Sequence, residues 1–261
     1  MFGSDVLLAF AVCIAAAAAT MIGGLSVFRA KEENARLLAF GLAFAGGAMV
    51  YISLVEIFWK SLGDFSKVFE DKQAYSYATI AFFCGVTLIA LIDRLIPNPH
   101  NKLVPDDNAD KKHLKRVGLM AALAITVHNF PEGMATFFAT LEEPVVGSSL
   151  AFAIAVHNIP EGVSIAIPVY YATGSKKMTL MACGLSAVAE PLGALLGYLI
   201  LAPFLTPLVF GSVFGVIAGA MVFLSMDELL PTAKRYSTGH DAVYGMVLGM
   251  AVIALSLVLF R

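Results

Sequence analysis

Two copies of one hexapeptide pattern, H-N-x-P-E-G, hold the residues best suited to chemistry in this sequence. The first copy is HNFPEG at residues 128–133, and the second is HNIPEG at residues 157–162. On an α-helix the first, second and fifth positions of this pattern lie on one face, because residues three and four apart are neighbours. Each copy therefore predicts an imidazole nitrogen, an amide oxygen and a carboxylate that converge on one point, as ligands of a divalent transition metal do.

The candidate ligands in the two copies are His128, Asn129, Glu132, His157, Asn158 and Glu161. The prolines inside the pattern, Pro131 and Pro160, have no backbone N–H, so each frees the carbonyl four residues earlier in its helix. The glycine that ends each copy allows another helix backbone to approach closely. A lone polar residue within an apolar helix is as often a structural hydrogen-bonding group as a functional one. Six polar residues that converge favour a functional site.

Further candidate residues lie outside the hexapeptides. Glu190 stands in an apolar stretch and is followed directly by a proline. Met49 offers a thioether as a possible soft ligand, although methionine is more often a packing residue. Glu56 and Glu228 stand at matching places in two similar segments, where they fit either a pathway entrance or an interfacial anchor. Asp93 reads as an interfacial charge.

The composition places these polar residues in a membrane rather than in water. Of the 261 residues, 59% are hydrophobic and 14% are charged, and the mean hydropathy is +0.83. A water-soluble domain carries about 25% charged residues. The net charge of −2 leaves no basic excess for a nucleic-acid partner. The three cysteines fall singly in apolar runs, which excludes a disulfide framework and a zinc ribbon.

Eight apolar stretches are long enough to cross a bilayer, because a membrane-spanning helix needs about 20 mostly apolar residues. We therefore predict an all-α polytopic membrane protein that forms one transmembrane domain over residues 1–261. The predicted spans lie near residues 6–28, 37–59, 75–96, 117–140, 147–171, 179–202, 208–230 and 243–260.

The distribution of basic residues predicts the orientation of the chain. Most of its 17 lysines and arginines fall in the breaks after the first, third, fifth and seventh predicted spans. Such residues are retained on the cytoplasmic side, so both termini are expected on the non-cytoplasmic side of the cell membrane. The longest cytoplasmic break, residues 97–116, contains His100 and His113. A solvated linker explains these two histidines more readily than a metal site does.

Internal repeats run in opposite directions along the chain. GGAMVYISLVE at residues 46–56 recurs as AGAMVFLSMDE at residues 218–228, in the second and seventh predicted spans. The two hexapeptides also lie in antiparallel neighbours. These matches predict a 3+2+3 arrangement, with spans 1–3 and 6–8 as inverted halves around a central pair, and a site near the midplane. Chance similarity of small-residue helices is the alternative for the first match.

Taken together, the paired hexapeptides, the eight spans and the Glu-Pro pair resemble the ZIP family of divalent-metal transporters, in particular its bacterial members. The likeness covers essentially the whole chain. It implies import of zinc, iron(II) and related ions such as manganese and cobalt into the cytoplasm, through a binuclear site at mid-membrane. It further implies that the chain is not an enzyme and that it has no cofactor beyond the transported Zn(2+) and Fe(2+).

Carried over position by position, the resemblance implies two metal positions that share their glutamates. The first position has the implied ligands Glu132, His157 and Glu161, with His128 and Met49 close to it. The second position has the implied ligands Asn129, Glu132, Asn158, Glu161 and Glu190.

Two other functions stay open at this point. A metal-selective channel would use the same ligands, because a ligand list does not reveal gating. An intramembrane metalloenzyme could use histidines and carboxylates to activate water, but the sequence has neither H-E-x-x-H nor a nucleophile elbow. The expected partners are divalent metal ions and the lipid bilayer. A G-x-x-x-G pattern at Gly193 and Gly197 would permit a homodimer, although packing within one chain explains it more often.

Overall fold

The computed structural model describes residues 3–26, 28, 35–95, 126, 129–237 and 239–259. Apart from short turns these residues are helical, and no strand occurs among them. A helix satisfies its backbone N–H and C=O groups within its own segment, which a chain crossing hydrocarbon requires. The predicted class of all-α polytopic membrane protein is thus confirmed.

The described residues form α-helices that we number in chain order. They are α1 (Ser4–Ser26), α2 (Ala35–Ile52), α3 (Phe58–Ser66), α4 (Asp71–Leu95), α5 (129–142), α6 (Pro144–Thr173), α7 (Lys176–Leu201), α8 (Pro207–Leu224), α9 (Leu230–Tyr236) and α10 (Asp241–Leu259). Five-residue π-helical turns, Ser53–Ile57 and Ser225–Leu229, join α2 to α3 and α8 to α9.

Seven helical segments of the described chain are long and apolar enough to cross a membrane. Two of them are compound, because the helix runs through a π-helical turn from α2 into α3 and from α8 into α9. These two end at Ser66 and Tyr236, several residues beyond the predicted ends, since the backbone stays helical after the apolar stretch has finished. The predicted fourth span is described in part, and its helix α5 continues to residue 142.

The connection between α5 and α6 has a clear local cause. Glu143 is extended, with φ −146° and ψ 101°, and α6 begins with Pro144. Proline disfavours the helical conformation of the residue before it and suits the first position of a helix. The tight turn makes α5 and α6 antiparallel neighbours, so the two hexapeptides face each other across one helix pair.

Close glycine contacts join α1, α5, α6 and α7 into one group of helices. A side chain at Gly23 of α1 would overlap the carbonyl oxygen of Ile159 on α6. A side chain at Gly193 of α7 would likewise overlap the carbonyl oxygen of Phe130 on α5. Only glycine permits backbones to approach this closely. We call this group the site bundle.

Similar contacts join α2 to α10 and α4 to α8, and Gly211 of α8 packs against the ring of Phe65 on α3, the helix that continues α2. We call α2, α4, α8 and α10 the flanking bundle. Gly47 of α2 lies against the backbone of Met246 on α10, and Gly219 of α8 lies against the backbone of Phe82 on α4. Where the two groups meet, the glycine contact is looser. A Cβ added to Gly41 of α2 would lie 3.6 Å from Cβ of Pro160 on α6, which is ordinary van der Waals contact.

The two π-helical turns occupy the same place in the 11-residue repeat. In each copy the serine begins the turn, and the glutamate is its fourth residue. π-Helical turns are rare in proteins, and those that occur are frequently found at functional sites. The shared position supports a true repeat over chance similarity, and it places Glu56 and Glu228 at equivalent points of two helices.

Candidate metal site

Three buried side chains of the site bundle bring their ligand atoms together. Glu132 on α5, His157 on α6 and Glu161 on α6 each offer one atom, and these atoms lie within 4.8 Å of one another. The side chains are sealed from solvent, with exposed fractions of 0%, 0% and 3%. The convergence expected from the hexapeptides is therefore found for these three residues. Two carboxylates and one imidazole at this spacing could hold a divalent transition metal.

The ligand atoms of this cluster are not satisfied by one another. His157 Nε2 and Glu132 Oε2 lie 3.2 Å apart, but they lack the alignment of a hydrogen bond. Both ring nitrogens of His157 and both carboxylate oxygens of Glu132 have no hydrogen-bond partner in the described part of the chain. Buried polar groups are nearly always hydrogen-bonded. Several that share one small space indicate a site where a cation would be the missing partner.

The two hexapeptide asparagines use their amide N–H groups on neighbouring helices. Asn129 Nδ2 donates to the carbonyl oxygen and to Oγ of Ser186, both at 3.1 Å. Asn158 Nδ2 donates to the carbonyl oxygen of Ala16 at 3.1 Å and to Oε1 of Glu190 at 2.6 Å. Backbone carbonyls only accept, so these contacts fix the orientation of each amide. The side-chain oxygen of each asparagine is left without a described hydrogen-bond partner.

Glu190 lies at the edge of this cluster. Its side chain is fully buried on α7, and Pro191 follows it inside the helix. One carboxylate oxygen accepts from Asn158, whereas Oε2 has no described partner. Gly133 lies directly against the backbone of Glu190, and any side chain at position 133 would overlap that carbonyl. The glycine that ends the first hexapeptide therefore allows α7 to bring Glu190 to the site.

The other predicted residues lie in α2, in the π-helical turns or outside the described residues. Met49 is buried in α2, within the main hydrophobic core that also contains its repeat mate Met221. Its closeness to the cluster stays a prediction. Glu56 is half-buried in the first π-helical turn. His128, His100 and His113 lie outside the described residues.

A second group of carboxylates, which the sequence did not predict, forms near the ends of α4 and α8. Asp93 of α4 lies with Asp227 and Glu228 of the second π-helical turn, and their oxygens are within 4.8 Å of one another. The sequence predicts that Asp93 is an interfacial charge, and the structure places it beside Glu228. A signal was present in the sequence, because both residues stand near the ends of spans predicted to finish on the same side of the membrane.

Comparison with known proteins identifies similar sequences. Residues 99–257, which include both hexapeptides, match the family model described as "ZIP Zinc transporter". A protein named "Zinc transporter ZupT" from Neisseria meningitidis serogroup C is 61% identical over 262 residues, covering 99% of this chain and 97% of the relative.

Relatives from other bacteria carry the same name. The one from Xanthomonas axonopodis pv. citri is 58% identical over 258 residues, covering 97% of this chain and 95% of the relative. The one from Oceanobacillus iheyensis is 47% identical over 264 residues, covering 98% of each. These similarities extend over essentially the whole chain, including α1–α4, which precede the match to the family model.

Proposed function

Because the chain belongs to the ZIP family of zinc transporters, we propose that it imports zinc into the cytoplasm through the cluster of Glu132, His157 and Glu161. Membership of this family indicates a transporter of divalent metal and not an enzyme, as predicted from the sequence. The chain is a multi-pass protein of the bacterial inner membrane. We extend the proposal to iron(II), and to manganese and cobalt as related ions.

The buried ligand atoms without hydrogen-bond partners carry this proposal. A cation that crosses a bilayer must exchange its water shell for protein ligands. Glutamates in hydrocarbon are costly unless they are protonated, paired or bound to metal. The carboxylates of Glu132 and Glu161, with the imidazole of His157, supply charge and coordination at the same point. Nitrogen and oxygen ligands without thiolate suit several divalent metals, which fits a broad-range transporter.

We propose that a second cation position adjoins the first and shares Glu132 and Glu161 with it. The amide oxygens of Asn129 and Asn158 and one oxygen of Glu190 support this position, because all three lack described hydrogen-bond partners. Asn158 and Glu190 are also hydrogen-bonded to each other, so these two side chains are contiguous. Met49 and His128 complete the first position in this proposal.

Uptake of zinc into proteoliposomes tests the proposed function. Wild-type protein is compared with Glu161→Ala and with Glu143→Ala, whose glutamate is exposed on the α5–α6 turn and makes no capping hydrogen bond. We expect saturable uptake by the wild type and by Glu143→Ala, and no uptake by Glu161→Ala at normal levels of membrane-inserted protein. Normal uptake by Glu161→Ala would contradict the site. Uptake that rises without saturation would favour the channel.

A further inference from the structure

In the site bundle, the contact of α5 with α7 is repeated by the contact of α6 with α1. Asn129 of α5 donates to the backbone carbonyl of Ser186 on α7. Asn158 of α6 donates in the same way to the backbone carbonyl of Ala16 on α1. Because the two asparagines are equivalent hexapeptide positions, the pair relates α5 to α6 and α7 to α1 by an internal two-fold relation.

Two buried cysteines obey the same relation. Cys13 of α1 donates its S–H to the carbonyl of Gly133 at 3.8 Å. Cys183 of α7 donates to the carbonyl of Gly162 at 3.7 Å. The two glycines are the last residues of the two hexapeptides. Cys13 and Cys183 are therefore equivalent positions under the two-fold relation. The same register makes Ala16 equivalent to Ser186.

The same register pairs Thr20 of α1 with Glu190 of α7. Each lies four residues beyond a carbonyl that accepts from a hexapeptide asparagine. The backbone of Glu190 lies directly against Gly133, and the backbone of Thr20 lies directly against Gly162. The separation along the chain is the same for Thr20 and Glu190 as for the other equivalent pairs. Thr20 thus occupies in one half of the bundle the place that a carboxylate occupies in the other.

The hydroxyl of Thr20 is buried and has no described hydrogen-bond partner. Its side chain is 0% exposed, and Oγ1 is among the polar atoms that lack a partner. Helical threonines usually donate to the carbonyl four residues earlier, as Thr140 and Thr173 do here. For Thr20 that carbonyl belongs to Ala16, which already accepts from Asn158. The local structure therefore leaves the hydroxyl available.

The two-fold relation also gives the direction of this side chain. Glu190 sits on α7 and reaches Asn158 on α6. By the same relation, we infer that Thr20 on α1 stands opposite Asn129 on α5, whose side-chain oxygen also lacks a described hydrogen-bond partner. A threonine side chain is two bonds shorter than that of glutamate, so a hydroxyl at this place stops short of the position where a carboxylate would end. The difference is about the size of one water molecule.

We propose that Thr20 is a positioning residue of the cation site, whose hydroxyl holds a water molecule that remains on the bound ion. This inference rests on the proposed function and extends it to a helix outside the hexapeptides. Thr20 supplies a neutral oxygen where the two-fold relation would place a fourth carboxylate. Three carboxylates rather than four leave the ion bound weakly enough to depart, which transport requires as much as entry.

Zinc uptake by full-length protein in proteoliposomes tests this role. Thr20→Val removes the hydroxyl and keeps the shape, whereas Thr20→Ser keeps the hydroxyl. Thr179→Val is the matched control, because Thr179 is also 0% exposed but donates to the carbonyl of Ser175. We expect Thr20→Val to raise KM for zinc about tenfold, the lower end of the cost of losing a partner around a metal's ligands. The maximal rate should change little, and Thr20→Ser and Thr179→Val should resemble the wild type.

A carboxylate variant keeps the test decisive if Thr20→Val does not reach the membrane. Thr20→Asp should lower both KM and the maximal rate, because a fourth carboxylate binds the ion more tightly and slows its release. Three results would overturn the role of the hydroxyl, provided that the wild type takes up zinc. They are an unchanged KM in Thr20→Val, a KM in Thr20→Ser raised as much as in Thr20→Val, or a raised KM in Thr20→Asp. Absence of uptake by the wild type would instead overturn the proposed function and this inference with it.

Discussion

Asn158 connects the candidate metal site to two helices at once. Its amide nitrogen donates to Ala16 on α1 and to the carboxylate of Glu190 on α7, and its oxygen has no described hydrogen-bond partner. The hexapeptide pattern predicted asparagine as a possible ligand from its spacing. It could not predict that the amide hydrogens position a carboxylate, because Glu190 lies on a helix that only the tertiary fold brings near.

This double role predicts the effect of replacing the amide by a carboxylate. In Asn158→Asp a second negative oxygen would stand about where the amide nitrogen now lies, 2.6 Å from Glu190 Oε1. Like charges at this distance in a buried site repel strongly. We expect a fall in zinc uptake of at least about tenfold, as for the loss of other outer partners of metal ligands.

A second substitution separates repulsion from loss of the amide. Glu190→Gln in the Asn158→Asp background restores a donor beside the new carboxylate, so the thermal unfolding midpoint in detergent should recover. A midpoint that is the same in Asn158→Asp as in the wild type would show that these two side chains do not interact as described.

The close packing of the helices depends on glycine at the points where two backbones meet. The sequence contains 22 glycines. The hexapeptide pattern predicted close approach at Gly133 and Gly162, but it did not distinguish among the remaining glycines those that admit another helix from those that face open space. Gly133 meets the backbone of Glu190, whereas Gly63 has no atom within 4 Å of an added Cβ. Which glycine is needed is a property of the packed helices.

Substitution of these two glycines by alanine should therefore have opposite consequences. Gly133→Ala requires α5 and α7 to separate, so we expect a lowered unfolding midpoint and loss of zinc uptake. Gly63→Ala should preserve uptake and raise helix stability by up to about 1 kcal/mol, because alanine favours the helix over glycine. Thermal unfolding in detergent and proteoliposome uptake measure both. Equal behaviour of the two variants would refute the close contact of α5 with α7.

Several properties of the elements were accessible from the sequence and others were not. Apolar length predicted the membrane-spanning helices, and the 11-residue repeat predicted that α2–α3 and α8–α9 are related. The π-helical turns at Ser53–Ile57 and Ser225–Leu229 were not predicted. One extra residue per turn leaves no mark on hydropathy, since it depends on how the helix packs against its neighbours.

At the scale of the whole molecule, the grouping of the helices into two bundles was not indicated by sequence similarity. The internal repeats predict spans 1–3 and spans 6–8 as inverted halves around a central pair. In the structure α1 and α7 join the central pair α5 and α6, while α2, α4, α8 and α10 form the flanking bundle. Similarity shows which segments are related, but contact between helices is decided by the surfaces that fit together. The cluster of Glu132, His157 and Glu161 therefore lies within the site bundle.

The orientation of the molecule is a prediction at this same scale. Ser66 and Lys177 are both exposed and lie in breaks that the basic residues assign to opposite sides. In a background where Cys84, the exposed cysteine, is replaced by serine, an impermeant thiol reagent should label Ser66→Cys in intact spheroplasts. It should label Lys177→Cys only after the membrane is opened. The reverse labelling pattern would contradict the predicted orientation of the chain, with both termini on the non-cytoplasmic side.

We propose that the buried cluster on α5 and α6 holds the transported cation. The most direct test counts the zinc ions bound per chain by equilibrium dialysis of purified wild type, Glu132→Gln/Glu161→Gln and the exposed control Glu143→Gln. We expect two bound ions in the wild type and in the control, and none in the double variant, because both proposed positions use these two glutamates. Retention of the wild-type number by a folded double variant would contradict it.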